Sequence, residues 1–253
     1  MMIDTVLFDL DGTLLPMDQE EFVNTYLGLL AKHLAPYGYE PKHLAAAIWA
    51  GTHAMVQNDG SRTNEEVFWE DFCHIFGTDA RKDEPLFEEF YATDFAQART
   101  VCGFAPEAAE LVRLLKEKGI RVVLATNPLF PAIATRQRIR WAGLEPEDFE
   151  LVTTYENSRF CKPNPAYYQD LLEKLGAEPE HCIMVGNDVD EDIRPAETLG
   201  MGAFLLTPCI LNRSGSEVRC PQGGFAELKE FLLKNLKPKR AGCSRAAFSV
   251  SEG

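Results

Sequence analysis

From about residue 105 onwards, the sequence alternates between short apolar runs and longer amphipathic segments, and few folds accommodate such an alternation. Four apolar runs occur, at residues 120–125, 151–153, 182–185 and 203–206. The segments between them carry apolar residues at helical spacing, and several end at a glycine, as the segment before the first run does at Gly119. Apolar strands separated by helices are typical of a parallel sheet that is covered by helices on both faces.

The N-terminal run at residues 4–8 adds a fifth strand to the predicted sheet, but the sequence after it is helical and does not alternate. Residues 17–97 show the apolar spacing of helices and contain no segment that we interpret as a strand. We therefore predict an α/β fold in which residues 1–16 and 98–236 form a core with a parallel five-stranded sheet. Residues 17–97 form an all-helical domain inserted into this core. Residues 237–253, which are basic and then rich in Ser and Ala, are predicted to be a flexible tail.

The composition and the net charge of the chain argue against some classes of binding partner. Of the 253 residues 45% are hydrophobic, as in ordinary globular proteins, and no apolar stretch approaches the ~20 residues of a membrane-spanning helix. The formal net charge of −14 argues against nucleic acid or an anionic membrane as a partner. The seven cysteines are dispersed, and the N-terminus lacks the features of a secretory signal. We expect a cytoplasmic protein, and the sequence leaves both monomer and homodimer open.

Polar residues follow the predicted strands near their carboxyl ends. They are Asp9 and Asp11 after the first strand, Thr126 and Asn127 after the second, Lys162 after the third, and Asn187, Asp188 and Asp192 after the fourth. Ligands of open parallel sheets bind just beyond the carboxyl ends of the strands. A turn would explain the Asp-Gly pair that follows the first strand, but it would not explain four segments that bring polar groups to one edge.

These residue types suit the binding and hydrolysis of a phosphoryl group. Crowded carboxylates favour a hard divalent cation with oxygen ligands, above all Mg²⁺. Together with the cation, a lysine and a threonine hydroxyl form a receptor for phosphoryl oxygens. One carboxylate can act as a nucleophile and form an aspartyl-phosphate. A second carboxyl can protonate the leaving alcohol and then activate water.

Four motifs in this order resemble those of the phosphatase branch of the haloacid dehalogenase (HAD) superfamily. They are DLDGT at 9–13, the threonine of VLATN at 123–127, the lysine of CKPNP at 161–165, and GNDVDED at 186–192. The resemblance spans nearly the whole chain, from the first to the last predicted strand. It implies a Rossmann-like core with an inserted helical C1 cap, as in enzymes similar to phosphoglycolate phosphatase. Such a cap encloses the site and implies a small phosphorylated substrate.

The resemblance also implies roles for individual residues. Asp9 would be the nucleophile and a metal ligand, and Asp11 would be the general acid and base, with its backbone carbonyl on the metal. Thr126, with Asn127 beside it, would bind phosphoryl oxygens. Lys162 would hold Asp9 and neutralise the phosphorylated intermediate.

The fourth motif supplies the remaining metal ligands, and here the sequence departs from the usual pattern. The family often has Gly-Asp at this point, whereas Asn187 stands between Gly186 and Asp188. Either the carbonyl of Asn187 is a ligand, or Asp188 alone takes the role of ligand to Mg²⁺. Asp192 would bind the metal through water or support the site.

The sequence therefore predicts a Mg²⁺-dependent phosphatase that acts on a small phosphorylated metabolite. A phosphomutase of the same superfamily stays open as an alternative, as does a non-catalytic protein that binds a phospho-ligand. A 2-haloacid dehalogenase needs neither a metal nor a second acid, so Asp11 and Asp188 argue against it. In the helical domain, Trp49, Arg62 and Trp69 are candidates for contact with the substrate, but their spacing does not decide this.

Overall fold

In the computed structural model of the protein, residues 2–237 are described, so the predicted tail lies almost entirely outside the described part of the chain. One sheet of parallel strands forms the centre, in the order β2-β1-β3-β4-β5. The strands are β1 (Thr5–Phe8), β2 (Arg121–Leu124), β3 (Cys182–Gly186), β4 (Gly202–Leu206) and β5 (Gln222–Gly223). The predicted α/β fold with a parallel five-stranded sheet is confirmed.

The fifth member of the sheet is not the one that the sequence predicted. Residues 151–153 form a single parallel bridge, between Val152 and Leu124, because the chain turns away after Thr153 to contact the inserted helices. The strand prediction for residues 151–153 is therefore wrong. The place at the other edge is taken by β5, which pairs with the end of β4 over only two residues and contains a glycine. Such a short strand has no apolar pattern to reveal it.

Nine helices lie among the described residues. They are α1 (Gln19–Leu34), α2 (Pro41–Val56), α3 (Asn64–Phe76), α4 (Glu84–Ala92), α5 (Pro106–Glu117), α6 (Ala132–Trp141), α7 (Pro165–Leu175), α8 (Arg194–Thr198) and α9 (Phe225–Asn235). A π-helical turn, Val189–Ile193, leads into α8, and a 3₁₀ segment, Asp94–Val101, follows α4. We refer to α1–α4 together with this 3₁₀ segment as the helical insertion, since all of them lie between β1 and α5.

The two faces of the sheet bury different sets of side chains because residues alternate along each strand. Leu7 and Met184 belong to a cluster on one face, where α7 packs. Phe8 and Val185 belong to the opposite cluster, which continues without a break into the helical insertion, where Phe22 of α1 is buried. One apolar core therefore joins the helical insertion to this face of the sheet.

The N-terminus of α3 is fixed to the loops that carry the candidate site. The amides of Asn64 and Glu65 donate to the carbonyls of Ser158 and Tyr155, at 2.8 and 3.0 Å. The Asn64 side chain is fully buried, and its Nδ2 lies 3.3 Å from the carbonyl oxygen of Pro128. Free helical N–H groups that would otherwise lack partners are thus satisfied by the core. These bonds set the position of the helical insertion relative to the end of β2.

Two further findings concern the described residues alone. No helix in residues 2–237 is both long enough and apolar enough to cross a bilayer. The six cysteines in the same part of the chain carry free thiols, and the seventh, Cys243, lies outside it.

Candidate active site

The carboxyl ends of three neighbouring strands meet where the sequence predicted a site. The Asp9 amide donates to the carbonyl of Val185 at 2.9 Å, and the Ala125 amide donates to the carbonyl of Phe8 at 2.7 Å. These bonds continue the parallel pairing of β1 with β3 and with β2 by one residue beyond the ends of the strands. Side chains that follow β1, β2 and β3 therefore lie at one edge of the sheet, as ligand-binding residues of parallel sheets do. We call this region the catalytic edge.

The loop after β1 turns tightly against the loop after β3. Gly12 has φ +87°, and a Cβ atom there would lie 2.4 Å from Nδ2 of Asn187, so only glycine fits. The Thr13 hydroxyl lies 3.0 Å from Oδ1 of Asn187 and 3.3 Å from Oδ2 of Asp9. The side-chain Nδ2 of Asn187 in turn donates to the carbonyl of Cys209 at 2.7 Å. The Asn187 side chain thus braces three loops, and its predicted contact with a metal ion stays a prediction.

Lys162 is the central cation of the catalytic edge. Its Nζ lies 2.9 Å from Oδ1 of Asp9 and 2.6 Å from Oδ1 of Asp192, and its side chain is 1% exposed. Burial lowers the pKa of Lys162, but the carboxylates of Asp192 and Asp9 outweigh burial and leave the pKa raised. The lysine consequently keeps its proton. Asn127 fixes the same loop, because its Oδ1 accepts a bond from the Lys162 amide at 3.2 Å.

Asp9, the first residue after β1, is a buried carboxyl that pairs with Lys162. Burial raises its pKa, and the neighbouring Lys162 ammonium opposes this shift. A nucleophilic carboxylate at such a buried position depends on nearby positive charge. Thr126 lies at the end of β2, one residue after the bond between Ala125 and Phe8, and it is also buried. Its carbonyl accepts bonds that hold this loop in place, including one from the Thr153 hydroxyl at 2.7 Å.

Asp188 caps the start of the π-helical turn after β3, and Asp192 lies within that turn. Oδ1 of Asp188 accepts bonds from the amides of Asp190 and Glu191, at 2.8 and 3.0 Å, which fixes the carboxylate. Its Oδ2 pairs with Arg213 at 2.5 Å. Oδ2 of Asp192 accepts a bond from the Asp188 amide at 3.0 Å. Asp192 therefore links Lys162 to the start of the turn, and its predicted role, as a ligand to the metal through water or as a support of the site, stays a prediction.

Asp11 pairs with a residue that the sequence analysis did not single out. Its Oδ2 is bonded to Arg138 of α6, a fully buried side chain whose guanidinium carbon lies 4.3 Å from the centre of the Phe130 ring. Oδ1 of Asp11 is buried without a hydrogen-bond partner among the described residues. The backbone carbonyl of Asp11 lies 3.4 Å from Nε2 of Gln19, at the start of α1. One oxygen of this carboxyl is thus held by a buried cation, while the other has no partner among the described residues.

The burial pattern of α6 gives a signal for Arg138 that the sequence alone did not contain. The buried positions of α6 include Ala134, Thr135, Arg138 and Ile139, which is the i, i+1, i+4, i+5 spacing of a core-facing stripe. A guanidinium on that stripe must find a partner inside the protein, because burying an unpaired charge is costly. Arg213 gave no such signal, since it lies on a loop and is more than half exposed.

The oxygen atoms at the catalytic edge suit Mg²⁺ chemically. The carboxylates of Asp9 and Asp188 and the carbonyl of Asp11 are hard donors, and the unpaired Oδ1 of Asp11 adds another acceptor close by. Within residues 2–237, no three His, Cys, Asp or Glu side chains are grouped so as to hold a metal ion by themselves. Mg²⁺ at phosphoryl-transfer sites usually takes only one or two carboxylates and completes its shell with water and substrate oxygens. The donor set therefore fits the ion.

The chain is similar to known proteins in sequence and in fold. Residues 3–200 match the model of the haloacid dehalogenase-like hydrolase family. A curated relative from Bacillus cereus (strain G9842), named pyrophosphatase PpaX, is 31% identical over 234 residues, which cover 92% of this chain and 96% of the relative.

Two solved structures show the same fold at lower identity. A 2-haloacid dehalogenase from Pseudomonas syringae pv. Tomato DC3000 has a TM-score of 0.62 at 21% identity, over 92% of this chain and 99% of that chain. A predicted phosphoglycolate phosphatase from Haemophilus somnus 129pt has a TM-score of 0.56 at 18% identity, over 90% and 97%. Both are similar to this chain along almost their entire length, so the core and the helical insertion occur together in those proteins as well.

Proposed function

Because the chain belongs to the haloacid dehalogenase-like hydrolase family and is a phosphatase enzyme of that family, we propose that it hydrolyses a small phosphate monoester with Mg²⁺ through an aspartyl-phosphate on Asp9. The observation that carries this proposal is the buried Lys162, held between Asp9 and Asp192 at 2.9 and 2.6 Å. Burial of three charged groups costs desolvation free energy. We therefore expect a protein that keeps such a triad to use its charges.

In the first half-reaction, a carboxylate oxygen of Asp9 attacks the phosphorus atom and the bond to the ester oxygen breaks. Asp11 gives its proton to the departing alkoxide, so that an alcohol leaves. Oδ1 of Asp11 suits this transfer because Oδ2 is bonded to Arg138. Lys162 and Thr126 hold the phosphoryl oxygens and keep the developing negative charge in place.

In the second half-reaction, Asp11 takes a proton from water as the water oxygen attacks the phosphorus of the aspartyl-phosphate. The acyl-phosphate bond breaks, inorganic phosphate leaves, and Asp9 is restored as a carboxylate. Mg²⁺ would be held by Asp9, Asp188 and the carbonyl of Asp11, and when bound it would supply positive charge to the phosphoryl oxygens.

The proposal is tested by measuring phosphate release from p-nitrophenyl phosphate with Mg²⁺, with EDTA, and with EDTA followed by excess Mg²⁺. We expect activity in the first condition, loss in the second and recovery in the third. Full activity in EDTA would contradict the proposed role of the metal and favour dehalogenase chemistry, which a parallel assay of halide release from 2-chloropropionate would detect. A screen of phosphorylated metabolites would then rank substrates, with pyrophosphate included because of the name of the curated relative.

Phosphomutase activity is the main alternative and shares the first half-reaction. A mutase passes the phosphoryl group to a second substrate hydroxyl instead of water. Incubation with a sugar phosphate, followed by ³¹P NMR, separates the two, since the hydrolase yields inorganic phosphate while the mutase yields an isomeric ester.

A further inference from the structure

A cavity of about 330 Å³ lies between the helical insertion and two loops of the core. All four helices α1–α4 contribute to its walls, and the core contributes residues 129–131, Ile133 and residues 155–156. The volume is that of a small-molecule site, and such sites are usually apolar with a few polar groups. Trp49 and Trp69 line it, whereas Arg62, the third candidate from the sequence, does not and instead pairs with Glu70 at 2.5 Å.

The walls combine aromatic rings with negative charge. Phe68, Trp69 and Phe87 are buried lining residues, and Trp49 is 54% exposed. The titratable lining side chains are tyrosines and four glutamates, and no lysine, arginine or histidine of the described residues lines the cavity. Aromatic faces attract organic cations, and carboxylates strengthen that attraction. An anionic ligand would be repelled.

The four glutamates are not equally available to a ligand. Arg81 pairs with Glu65 and Glu84, at 3.0 and 3.3 Å. Glu88 has no ion-pair partner among the described residues, and Oε2 of Glu156 is buried without a hydrogen bond. Two carboxylates therefore lack a cation, and one of them has an acceptor atom that neither the protein nor the solvent satisfies.

A second polar atom of the wall is only weakly satisfied. Trp69 is 2% exposed and lines the cavity, and its indole Nε1 faces the hydroxyl of Tyr155, another lining residue, without a well-aligned hydrogen bond. Buried donors without such a bond are uncommon in proteins and call for an explanation. A ligand with an oxygen for this donor and an ammonium group for Glu156 would satisfy both.

Short segments of chain connect the cavity wall to the catalytic edge. The Thr153 hydroxyl bonds to the Thr126 carbonyl at 2.7 Å, and the lining residues Leu129 and Glu156 come three residues after Thr126 and Thr153. Three residues span at most ~11 Å. Phe130 forms part of the partition, because it lines the cavity and also packs against Arg138, the partner of the catalytic-edge residue Asp11.

We propose that this cavity receives the alcohol part of the substrate, and that the substrate is a phosphate monoester of an amino alcohol with an apolar chain. The inference rests on the proposed phosphatase function. The ammonium group pairs with Glu88 and Glu156, and the chain packs on the aromatic walls. Pyrophosphate and bisphosphates are disfavoured, because their second anionic group would face carboxylates that have no compensating cation.

Three esters of equal chain length test the charge preference: 6-aminohexyl phosphate, hexyl phosphate and 6-(phosphonooxy)hexanoate. We expect kcat/KM to be about tenfold higher for the amine than for the alkyl ester, and lower again for the carboxylate. Equal values for the three esters, or a preference for the carboxylate or for pyrophosphate, would overturn the inference while leaving the phosphatase function intact.

A double variant, Glu88→Gln with Glu156→Gln, locates the effect. It should lower kcat/KM for 6-aminohexyl phosphate about tenfold relative to kcat/KM for hexyl phosphate, so that the preference for the amine is lost. The matched control is Glu89→Gln with Glu110→Gln, which neutralises two exposed glutamates that do not line the cavity. If the control shows the same loss, the preference comes from overall charge and the assignment to the cavity is wrong.

Binding measurements separate this inference from the proposed function. Isothermal titration with hexylamine and with hexanoate does not require turnover, so it gives a result even if no ester is hydrolysed. Saturable binding of hexylamine that is weakened in the Glu88→Gln, Glu156→Gln variant supports the cavity as a cation site. Absence of hexylamine binding, or tighter binding of hexanoate, contradicts it. Failure to hydrolyse any ester, in turn, counts against the phosphatase and not against the cavity.

Discussion

The catalytic edge and the cavity beside it are built on opposite principles. At the edge, polar side chains from separate loops pair with one another at short range, as Lys162 does with Asp9 and Asp192. In the cavity, aromatic rings from four helices form the walls, and two glutamates are left without a cation. The edge can perform only a narrow range of chemistry, because each charge there is committed to a partner. The cavity is where a chain of this kind can vary its substrate.

The two regions meet at a few residues, which we call the junction. Contacts at the junction fix the helical insertion relative to the catalytic edge. Phe130 contacts both Arg138 and the cavity, and Asn64 bonds α3 to the carbonyl of Pro128, two residues after Thr126. A change at the edge should therefore alter turnover, a change in the cavity should alter substrate choice, and a change at the junction should alter the attachment of the helical insertion.

The largest effect is expected for Asp9→Asn. The amide cannot act as the nucleophile, so kcat for p-nitrophenyl phosphate should fall on the order of 10⁴-fold while the circular dichroism spectrum and melting temperature are retained. Asp4→Asn, just before the other end of β1, is the control and should keep full activity, because Asp4 pairs with Lys237 at 3.1 Å and accepts a bond from the Thr5 hydroxyl at 3.0 Å, at the end of β1 opposite to the catalytic edge. Substantial turnover by Asp9→Asn would show that another residue is the nucleophile.

Lys162→Met tests whether the edge depends on mutual charge compensation. Removal of the ammonium leaves Asp9 and Asp192 buried without their shared partner, so the free energy of unfolding should drop by about 3–5 kcal/mol. Lys174→Met breaks a comparable pair, with Asp170 at 2.6 Å, but on the surface, and should cost no more than about 1 kcal/mol. Urea unfolding measures both. Equal losses for the two variants would mean that burial of the triad does not increase its contribution to the free energy of unfolding.

Arg138→Met addresses the partner of Asp11. We expect Arg138 to act as a positioning residue, so that its loss lowers kcat about 10- to 100-fold while KM changes little. Arg138→Lys should recover part of the rate because it restores the charge but not the forked geometry. Arg140→Met, an exposed position on the same helix that pairs with Glu145, is the control. A rise in KM with kcat unchanged would instead place Arg138 in substrate binding.

The smallest effect is expected at the junction. Asn64→Ala removes the bond to Pro128 and leaves Nδ2 of Asn58 without its 2.9 Å contact, which should lower the free energy of unfolding by about 1–3 kcal/mol. Asn24→Ala, on the exposed side of α1, should stay within about 0.5 kcal/mol of the parent protein in the same urea titration. If the two variants unfold alike, the bonds of Asn64 do not hold the helical insertion in place.

Much of the fold could be read from the sequence, because apolar periodicity and helix-boundary residues act locally. The strands β1 to β4 lie close to their predicted positions, and helices α1–α4 lie within the range 17–97 that was predicted to be helical. The fifth strand of the sheet could not be predicted. Residues 151–153 have the apolar character of a strand but form one bridge, and β5 has no apolar pattern at all. Edge strands depend on which neighbour is available for pairing, and local patterns do not contain that information.

The sequence alone determined which residues gather at the catalytic edge, because acids, a lysine and a threonine placed directly after parallel strands are brought together by the strand direction itself. The tertiary structure decided what those residues pair with. Arg138 and Arg213 reach Asp11 and Asp188 from segments far away in the chain, and the glutamates of the cavity face inward only because four helices pack as they do. Contacts of this kind depend on side-chain packing between distant segments, whereas the periodicity of a cavity-lining helix is the same as that of a helix that fills a core.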